Sequence, residues 1–431
     1  MGEARLAFHA HPPPGHWIND PNGLVYRDGA FHLFAQHRVD APDFRATGWA
    51  RFTSPDLLHW CFDGPVIPPD GSEWAYSGSV FGGGRLEALH TAHADRIERQ
   101  VRRISIDGGL SWSAPEELTT LGAPARNRRD PFIFAEGDGW GLLLAEPCDW
   151  TDWASAPPSR LRRYRSADRL RWEEVGTIGP WRPAGIMWEV PVLFRAGALD
   201  VLIVSEVDRR EGRADCSVRA WIGTLSVDTF TPADPVGQRV DLGPDFYALM
   251  TSSAEGWPLA QTAAVAWLSN WNSARTIGWP GFAGGPISLP RVLSVEERDR
   301  RLTVTNRPHP AVVERFVRPV QVMPDAGMLR LTVAGDRLVL RFAAGPNALA
   351  VAVDWNAGRL RAERSGVAPW QTEHEFVPSH ARELLVFRDD TLVELFVPGE
   401  GLALSAIVPG EGLTIDVLNP PTEGAWYRLA G

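Results

Sequence analysis

Hydrophobic positions along this chain alternate with polar ones in short runs bounded by Gly, Pro, Asn and Asp. That is the pattern of half-buried β-strands. Leu24-Val25-Tyr26 and Phe31-His32-Leu33-Phe34 flank Asp28-Gly29, which predicts a tight hairpin. No long window carries the period of an amphipathic helix, so the chain is predicted to be all-β.

Two elements recur along it. The first is Ser-x-Asp followed by an aromatic: Ser54-Pro55-Asp56 with Trp60, Ser105-Ile106-Asp107 with Trp112, Ser166-Ala167-Asp168 with Trp172, and Ser226-Val227-Asp228 with Phe230. Its intervals are 51, 61 and 60 residues. The second, in step with it, is Asp20, Ser77, Asp130, Glu189 and Tyr247, at intervals of 57, 53, 59 and 58, each opening an apolar strand. Five periods of this length suit four-stranded blades with long loops. They predict a five-bladed β-propeller over residues 1–295. The prolines agree, because Asp20-Pro21, Asp130-Pro131 and Glu189-Val190-Pro191 suit inner strands whose edges face the channel. Three carboxylates from three blades are then expected to meet in one funnel.

Beyond Pro290 the texture changes. Glu296-Glu297-Arg298-Asp299-Arg300-Arg301 and Arg307-Pro308-His309-Pro310 predict a charged linker over 296–314. Strict alternation in Leu329-Arg330-Leu331-Thr332-Val333 and Leu392-Val393-Glu394-Leu395-Phe396 predicts a β-sandwich over 315–431, in a supporting role.

Composition narrows the chemistry. The 431 residues carry a net charge of −10, and all 43 basic side chains are arginine. Without lysine there is no Schiff base or P-loop chemistry. Nineteen tryptophans, sixteen of them before residue 280, in an acidic chain point to sugar rather than nucleic acid. Cys61, Cys148 and Cys216 stand far apart, so neither a disulfide framework nor a metal site is implied. With no apolar leader or membrane-length run, the expectation is a cytoplasmic protein without a membrane partner.

Facing carboxylates in a Trp- and Arg-rich funnel are the equipment of glycoside hydrolysis, one attacking the anomeric carbon and one protonating the leaving oxygen. Glu189, inside Ile186-Met187-Trp188-Glu189-Val190-Pro191, is the expected acid, because apolar surroundings raise a carboxyl pKa. Asp20, among Asn19 and Pro21-Asn22-Gly23, is the expected ionised nucleophile. Asp130, after Arg128-Arg129, is expected to stay ionised and to bind hydroxyls.

Trp17-Ile18-Asn19-Asp20-Pro21-Asn22-Gly23, Arg129-Asp130-Pro131 and Trp188-Glu189-Val190-Pro191 resemble the three signatures of glycoside hydrolase family 32, the β-fructofuranosidases. Tyr76-Ser77-Gly78-Ser79, the stretch Asp241 to Ala248 and Ser288-Leu289-Pro290-Arg291 also resemble family patterns, in order. The resemblance implies Asp20 as nucleophile, Glu189 as acid/base and Asp130 as transition-state stabiliser. It further implies that Asn19, Gln36, Trp49, Ser77, Arg129, Tyr247 and Trp267 line the fructosyl site, with neither metal nor organic cofactor. The implied reaction releases terminal, non-reducing β-D-fructofuranosyl residues from sucrose or short fructo-oligosaccharides through a covalent fructosyl-enzyme. Three departures stand out: Val190 replaces the usual Cys, Ala50-Arg51 the usual Gly-His, and His37-Arg38 the usual Asn-Pro. The latter two are expected near the pocket rim; Arg38, Arg45 and Arg51 are candidates either to meet a phosphate or to be solvated, and Trp150 and Trp153 either to form an aglycone platform or to pack the blade and anchor its loop. Alternatives are a fructosyltransferase or a levan- or inulin-active enzyme of the same family. A sialidase is the rival on another chemistry, since Ser105 to Trp112 fits its S-x-D-x-G-x-x-W box, and a non-catalytic sugar-binding propeller is the rival of another class.

Overall fold

Where the sequence sets turn-forming or charged pairs between strand-like runs, the backbone reverses with both residues in the left-handed region. Asp28-Gly29 has φ values of 52° and 82°, Asp95-Arg96 of 49° and 65°, and Asp299-Arg300 of 46° and 61°. Such turns match the twist of the flanking strands and close tight antiparallel hairpins. The computed structural model describes residues 6–39, 43–82, 84–147, 156–209, 215–277, 283–418 and 422–430.

The first five sheets along the chain are the blades of a propeller, their strands pairing largely in chain order; in the fifth, Ala264–Trp267 pairs with Arg291–Arg298 across the excursion of Ala283–Gly284. Their innermost strands are Trp17–Arg27, Trp74–Phe81, Arg129–Glu136, Ile186–Ala196 and Tyr247–Thr251. Each lies beside the next, and the last lies beside the first. The ring is sealed by Ala283–Gly284, which returns from blade V to pair in parallel with Trp17 and Ile18 of blade I. A side chain at Gly284 (φ 92°) would place its Cβ 1.9 Å from the Ile18 carbonyl oxygen, so only glycine fits this seal.

The Ser-x-Asp elements are turn locks. They close the third strand of blades I to IV. Ser105 and Ser226 donate to Asp107 and Asp228 at 2.8 Å, and Asp168 accepts the amides of Leu170 and Arg171 at 2.9 Å. The following indoles of Trp60 and Trp172 donate to the carbonyls of Leu57 and Arg169 at 3.0 and 3.2 Å.

The stretch expected as a charged linker, 296–314, is mostly sheet. Arg291–Arg298 and Arg301–Pro308 pair as the outer hairpin of blade V, and Pro310–Val313 is one helical turn. An outer hairpin is largely solvated, so its charge content resembles that of a loop. Beyond it, a six-stranded and a five-stranded sheet pack face to face. Leu331, Val333, Phe342, Val351, Leu384 and Leu404 are among the side chains of their core.

Propeller and sandwich are joined by a buried ionic network. Arg291, fully buried, donates to Asp241 and Ser405 at 2.6 Å and pairs with Glu394. Its guanidinium also lies over the rings of Phe246 and Phe396, at 4.3 and 4.9 Å. Arg364 pairs with Asp245. His9 bridges Asp389 and Glu394 at 2.8 and 2.7 Å. The stretches 241–248 and 288–291 thus serve largely to dock the two domains. Among the described residues, no helix is long and apolar enough to cross a membrane.

Burial pushes the His9 imidazole down, but hydrogen bonds and charge from Asp389 and Glu394 outweigh it and carry its pKa to about 9. A raised histidine stabilises fully below its unfolded value of 6.5 and loses that contribution as pH rises through about 9. His9→Ala is expected to cost about 3–5 kcal/mol at neutral pH, because two buried carboxylates lose a cation. Urea unfolding at pH 6, 8 and 10 should show the cost shrinking with pH; a constant cost would mean that the charge is irrelevant.

Candidate active site

Each innermost strand leaves its ladder at one point. The register breaks between Ile18 and Gly23, Ala75 and Gly78, Glu189 and Val192, and Tyr247 and Met250, and in blade III opposite Leu143 and Ala145. Asp20, Ser77, Asp130, Glu189 and Tyr247 stand at these bulges, where a strand re-aims its side chains. Asp130, Val190 and Ala248 adopt φ values of 62°, 47° and 53°.

The amides freed at the bulges bond to the preceding blade. Gly78 N–H donates to Asn22 Oδ1 (3.2 Å), Asp130 N–H to Thr91 Oγ1 (3.0 Å), Val190 N–H to Asp130 Oδ2 (2.9 Å) and Ala248 N–H to Ser205 Oγ (2.9 Å). Four junctions therefore share one solution, and the site residues are held by it.

The carboxylates are held differently. Asp20 accepts from Ser77 Oγ at 2.7 Å and from Asn19 Nδ2 at 3.1 Å, and Asn19 in turn accepts from the Trp17 indole at 2.8 Å and donates to Gln36. Glu189 accepts from the Tyr247 hydroxyl at 2.9 Å and lies 3.3 Å from Arg129 Nη1. Arg129 also grips Glu98, at 3.0 and 2.9 Å, and Asn127 at 3.1 Å.

Burial dominates the titrations. It lifts Asp20 to about 6, helped by the charge of Glu189 and opposed by Ser77 and Asn19. Burial and Glu189 also hold Asp130 well above the ordinary carboxylate range, despite Arg129 and the Val190 amide. This corrects the expectation that Arg128-Arg129 keep Asp130 ionised. Arg128 pairs with Glu146 instead, and Arg129 divides its charge between Glu98 and Glu189. The surroundings of Glu189 are likewise polar at the carboxylate, not apolar as its sequence neighbours suggest.

Asp20, Gln36, Ser77, Arg129, Asp130 and Glu189 line one cavity of roughly 400 Å³. Asn19 and Tyr247 act from behind, through Asp20 and Glu189. Trp49 and Trp267 do not line it. Both are fully buried, Trp49 donating to the Tyr76 carbonyl at 3.1 Å and Trp267 packing on Trp17, Tyr247 and Trp271. The resemblance implied both as lining residues, but their indoles pack into the hydrophobic cores instead. The walls are Trp74, Tyr76, His93 and Trp271, and Glu98 joins the floor. The Tyr76-Ser77 motif marked part of this wall; nothing local marked Glu98.

The expected rim also moves. His37 is buried against His16 and Phe62, Arg38 pairs with Asp43, and Arg51 pairs with Asp63 away from the cavity. Of the three arginines expected there, Arg45 alone lines it. Trp150 and Trp153 lie outside the described residues.

Residues 9–306 match the family model for the glycosyl hydrolases family 32 N-terminal domain. The chain belongs to glycosyl hydrolase family 32. Its relatives include the extracellular exo-inulinase of Aspergillus niger, 26% identical over 354 residues, 69% of this chain and 64% of that protein. The chain thus spans less than two thirds of that relative's length. The raffinose invertase of Escherichia coli is 26% identical over 92% of this chain and 80% of its own. The sucrose-6-phosphate hydrolase of Zymomonas mobilis is 26% identical over 90% of this chain and 83% of its own. Among solved structures, the family 32 β-fructofuranosidase of Bombyx mori superposes with a TM-score of 0.80 at 23% identity, over 99% of this chain and 94% of that one. Exo-inulinase from Aspergillus awamori gives 0.82 at 19% identity, over 100% and 99%. These neighbours share the propeller-plus-sandwich fold, and family 32 membership sets the sialidase reading aside.

A carboxyl raised from 3.8 to about 6 by burial stabilises the fold only while protonated, so its ionisation at pH 7 costs about 3 kcal/mol. That cost is absent at low pH and appears as pH rises towards 6 and beyond. Asp20→Asn, which keeps the shape and removes the charge, is therefore expected to raise Tm at pH 7 and to leave it nearly unchanged at pH 4. A lower Tm at pH 7 would show that hydrogen bonds to the ionised form outweigh burial.

Proposed function

We propose that this family 32 chain is a retaining glycoside hydrolase that removes terminal, non-reducing β-D-fructofuranosyl residues from sucrose or short fructo-oligosaccharides. The observation that carries this is the convergence of Asp20, Asp130 and Glu189, from three blades, on one cavity with aromatic walls.

In the proposed reaction, Asp20 attacks the anomeric carbon while Glu189 protonates the departing glycosidic oxygen. The pKa of Asp20 near 6 leaves it mostly ionised at neutral pH, and Ser77 and Asn19 fix its two oxygens. Tyr247 and Arg129 aim the Glu189 carboxyl. Glu189 then takes a proton from water, whose oxygen displaces Asp20 and releases fructose. Asp130, one oxygen of which accepts the Val190 amide, faces the same cavity and suits a hydrogen bond with a fructose hydroxyl. Relatives named as raffinose invertase and exo-inulinase support the substrate class.

Fructose release should be followed with sucrose, raffinose and inulin- and levan-type oligomers; no release from any of them would sink the proposal. Glu189→Gln is expected to lower kcat by about 10²–10⁴-fold, the usual share of general acid–base catalysis. Because the nucleophile must be ionised, kcat/KM on the acid side should rise with pH around a midpoint near 6. A limb centred near 4 would show that Asp20 titrates like an exposed carboxylate.

A further inference from the structure

Four carboxylates, those of Asp20, Glu98, Asp130 and Glu189, line the cavity, and one buried guanidinium, Arg129, lies among them. Asp20, Asp130 and Glu189 belong to the series that places one residue on each blade. Glu98 stands outside that series and has no part in the displacement at the anomeric carbon, yet it is buried and fully engaged.

Its Oε1 accepts from Arg129 Nε at 3.0 Å and from Arg129 Nη2 at 2.9 Å, and its Oε2 accepts the Arg128 amide at 2.5 Å. The main chain of Glu98 exchanges both amide hydrogen bonds with Ala125, at 2.8 and 3.0 Å. The carboxylate thus sits on a bridge between Ile97–Ser105 and the segment that leads into Arg129–Glu136. Its grip decides how Arg129 is turned. Nε and Nη2 are held by Glu98, Nη2 also by Asn127 at 3.1 Å, and Nη1 is left to reach Glu189 at 3.3 Å.

Charge follows the same geometry. Burial opposes the positive charge of Arg129, and Glu98 stands first among the acids that outweigh it, ahead of Glu189 and Asp130. A cation 3.3 Å from a general acid favours its carboxylate form and so works against delivery of the proton. Glu98, bonded to the same guanidinium, offsets that pull.

We propose that Glu98 is a positioning residue for proton transfer, holding Arg129 so that one N–H orients Glu189 and cancelling the charge that would otherwise draw the proton from Glu189. This rests on the fructosidase reading and concerns its first step. The other groups that face Glu189 are the carboxyls of Asp20 and Asp130, the hydroxyls of Tyr76 and Tyr247, and the Cys216 thiol. Arg209, which follows Leu199–Asp208, lines the cavity as well. Burial holds the two hydroxyls and the thiol in their neutral forms. A substitution at Glu98 leaves all of these in place, so it reads the Arg129 charge.

Glu98→Gln keeps the shape and the main-chain bridge but removes the charge. The alkaline limb of kcat/KM for sucrose is expected to move to lower pH by about one unit, which is about a tenfold loss at any pH above it. Glu98→Asp, which keeps the charge, should leave the limb near its original pH even where kcat falls. A 4-nitrophenyl fructoside, whose phenolate departs without a proton, should be cleaved by Glu98→Gln with kcat/KM nearly unaltered. An equal loss at every pH and on both leaving groups would make Glu98 structural only and overturn the proposal. A carbon-13 titration of the Glu189 carboxyl, assigned by its absence in Glu189→Gln, reads the same effect without turnover. Proton release at lower pH in Glu98→Gln supports the proposal, and an unmoved titration overturns it. If the titration moves but the unaltered chain cleaves no fructoside, the role of Glu98 stands and the fructosidase reading falls.

Discussion

Five inner strands meet around one axis, and each has an edge that faces it, covered by a further strand only at Trp17-Ile18 of the first. Backbone amides on such an edge, buried away from water, must find an acceptor. Four of the junctions satisfy this with a side-chain oxygen from the preceding blade, offered to an amide released at a bulge. The bulge is also where the chemistry-bearing side chain leaves the sheet. Seam and site therefore arise from one break in pairing. Asp130 serves both: its carboxyl closes the seam to blade IV and also faces the cavity.

The molecule holds two sets of buried charge with opposite balance. Between the domains, His9 and Arg291 meet Asp241, Asp389 and Glu394, and hydrogen bonds satisfy the remaining oxygens. In the cavity, acids outnumber the guanidinium that faces them, and burial lifts the carboxyls. The first arrangement stabilises a docked pair of domains. The second is a local weakness that the surrounding blades hold in place, as expected where a group is poised to change its charge.

Architecture and the acidic trio were legible because both follow a repeat: one residue per blade, in phase, with a turn lock behind it in four of the five. What escaped depended on direction rather than identity. Trp49 and Trp267, implied by the resemblance, face the core, and Arg128 and Arg129 diverge although they are adjacent. The upward shifts of Asp20 and Asp130 follow from enclosure by several blades, which no local window displays. Glu98 reaches the floor through pairing with Ala125, a contact between segments with no shared pattern. The hairpin through Asp299-Arg300 was obscured because an outer strand carries the polarity of a loop.

The seal between Ala283–Gly284 and Trp17-Ile18 has a consequence for the order of assembly. The strand that bears Asp20 is synthesised before the other four inner strands, yet it gains its last partner only after all five exist. Nascent chains at any earlier stage hold an open fan of blades whose first edge is bare. The reactive cleft is thus a product of ring closure, and the long-range pairing that closes it belongs to the slow end of folding.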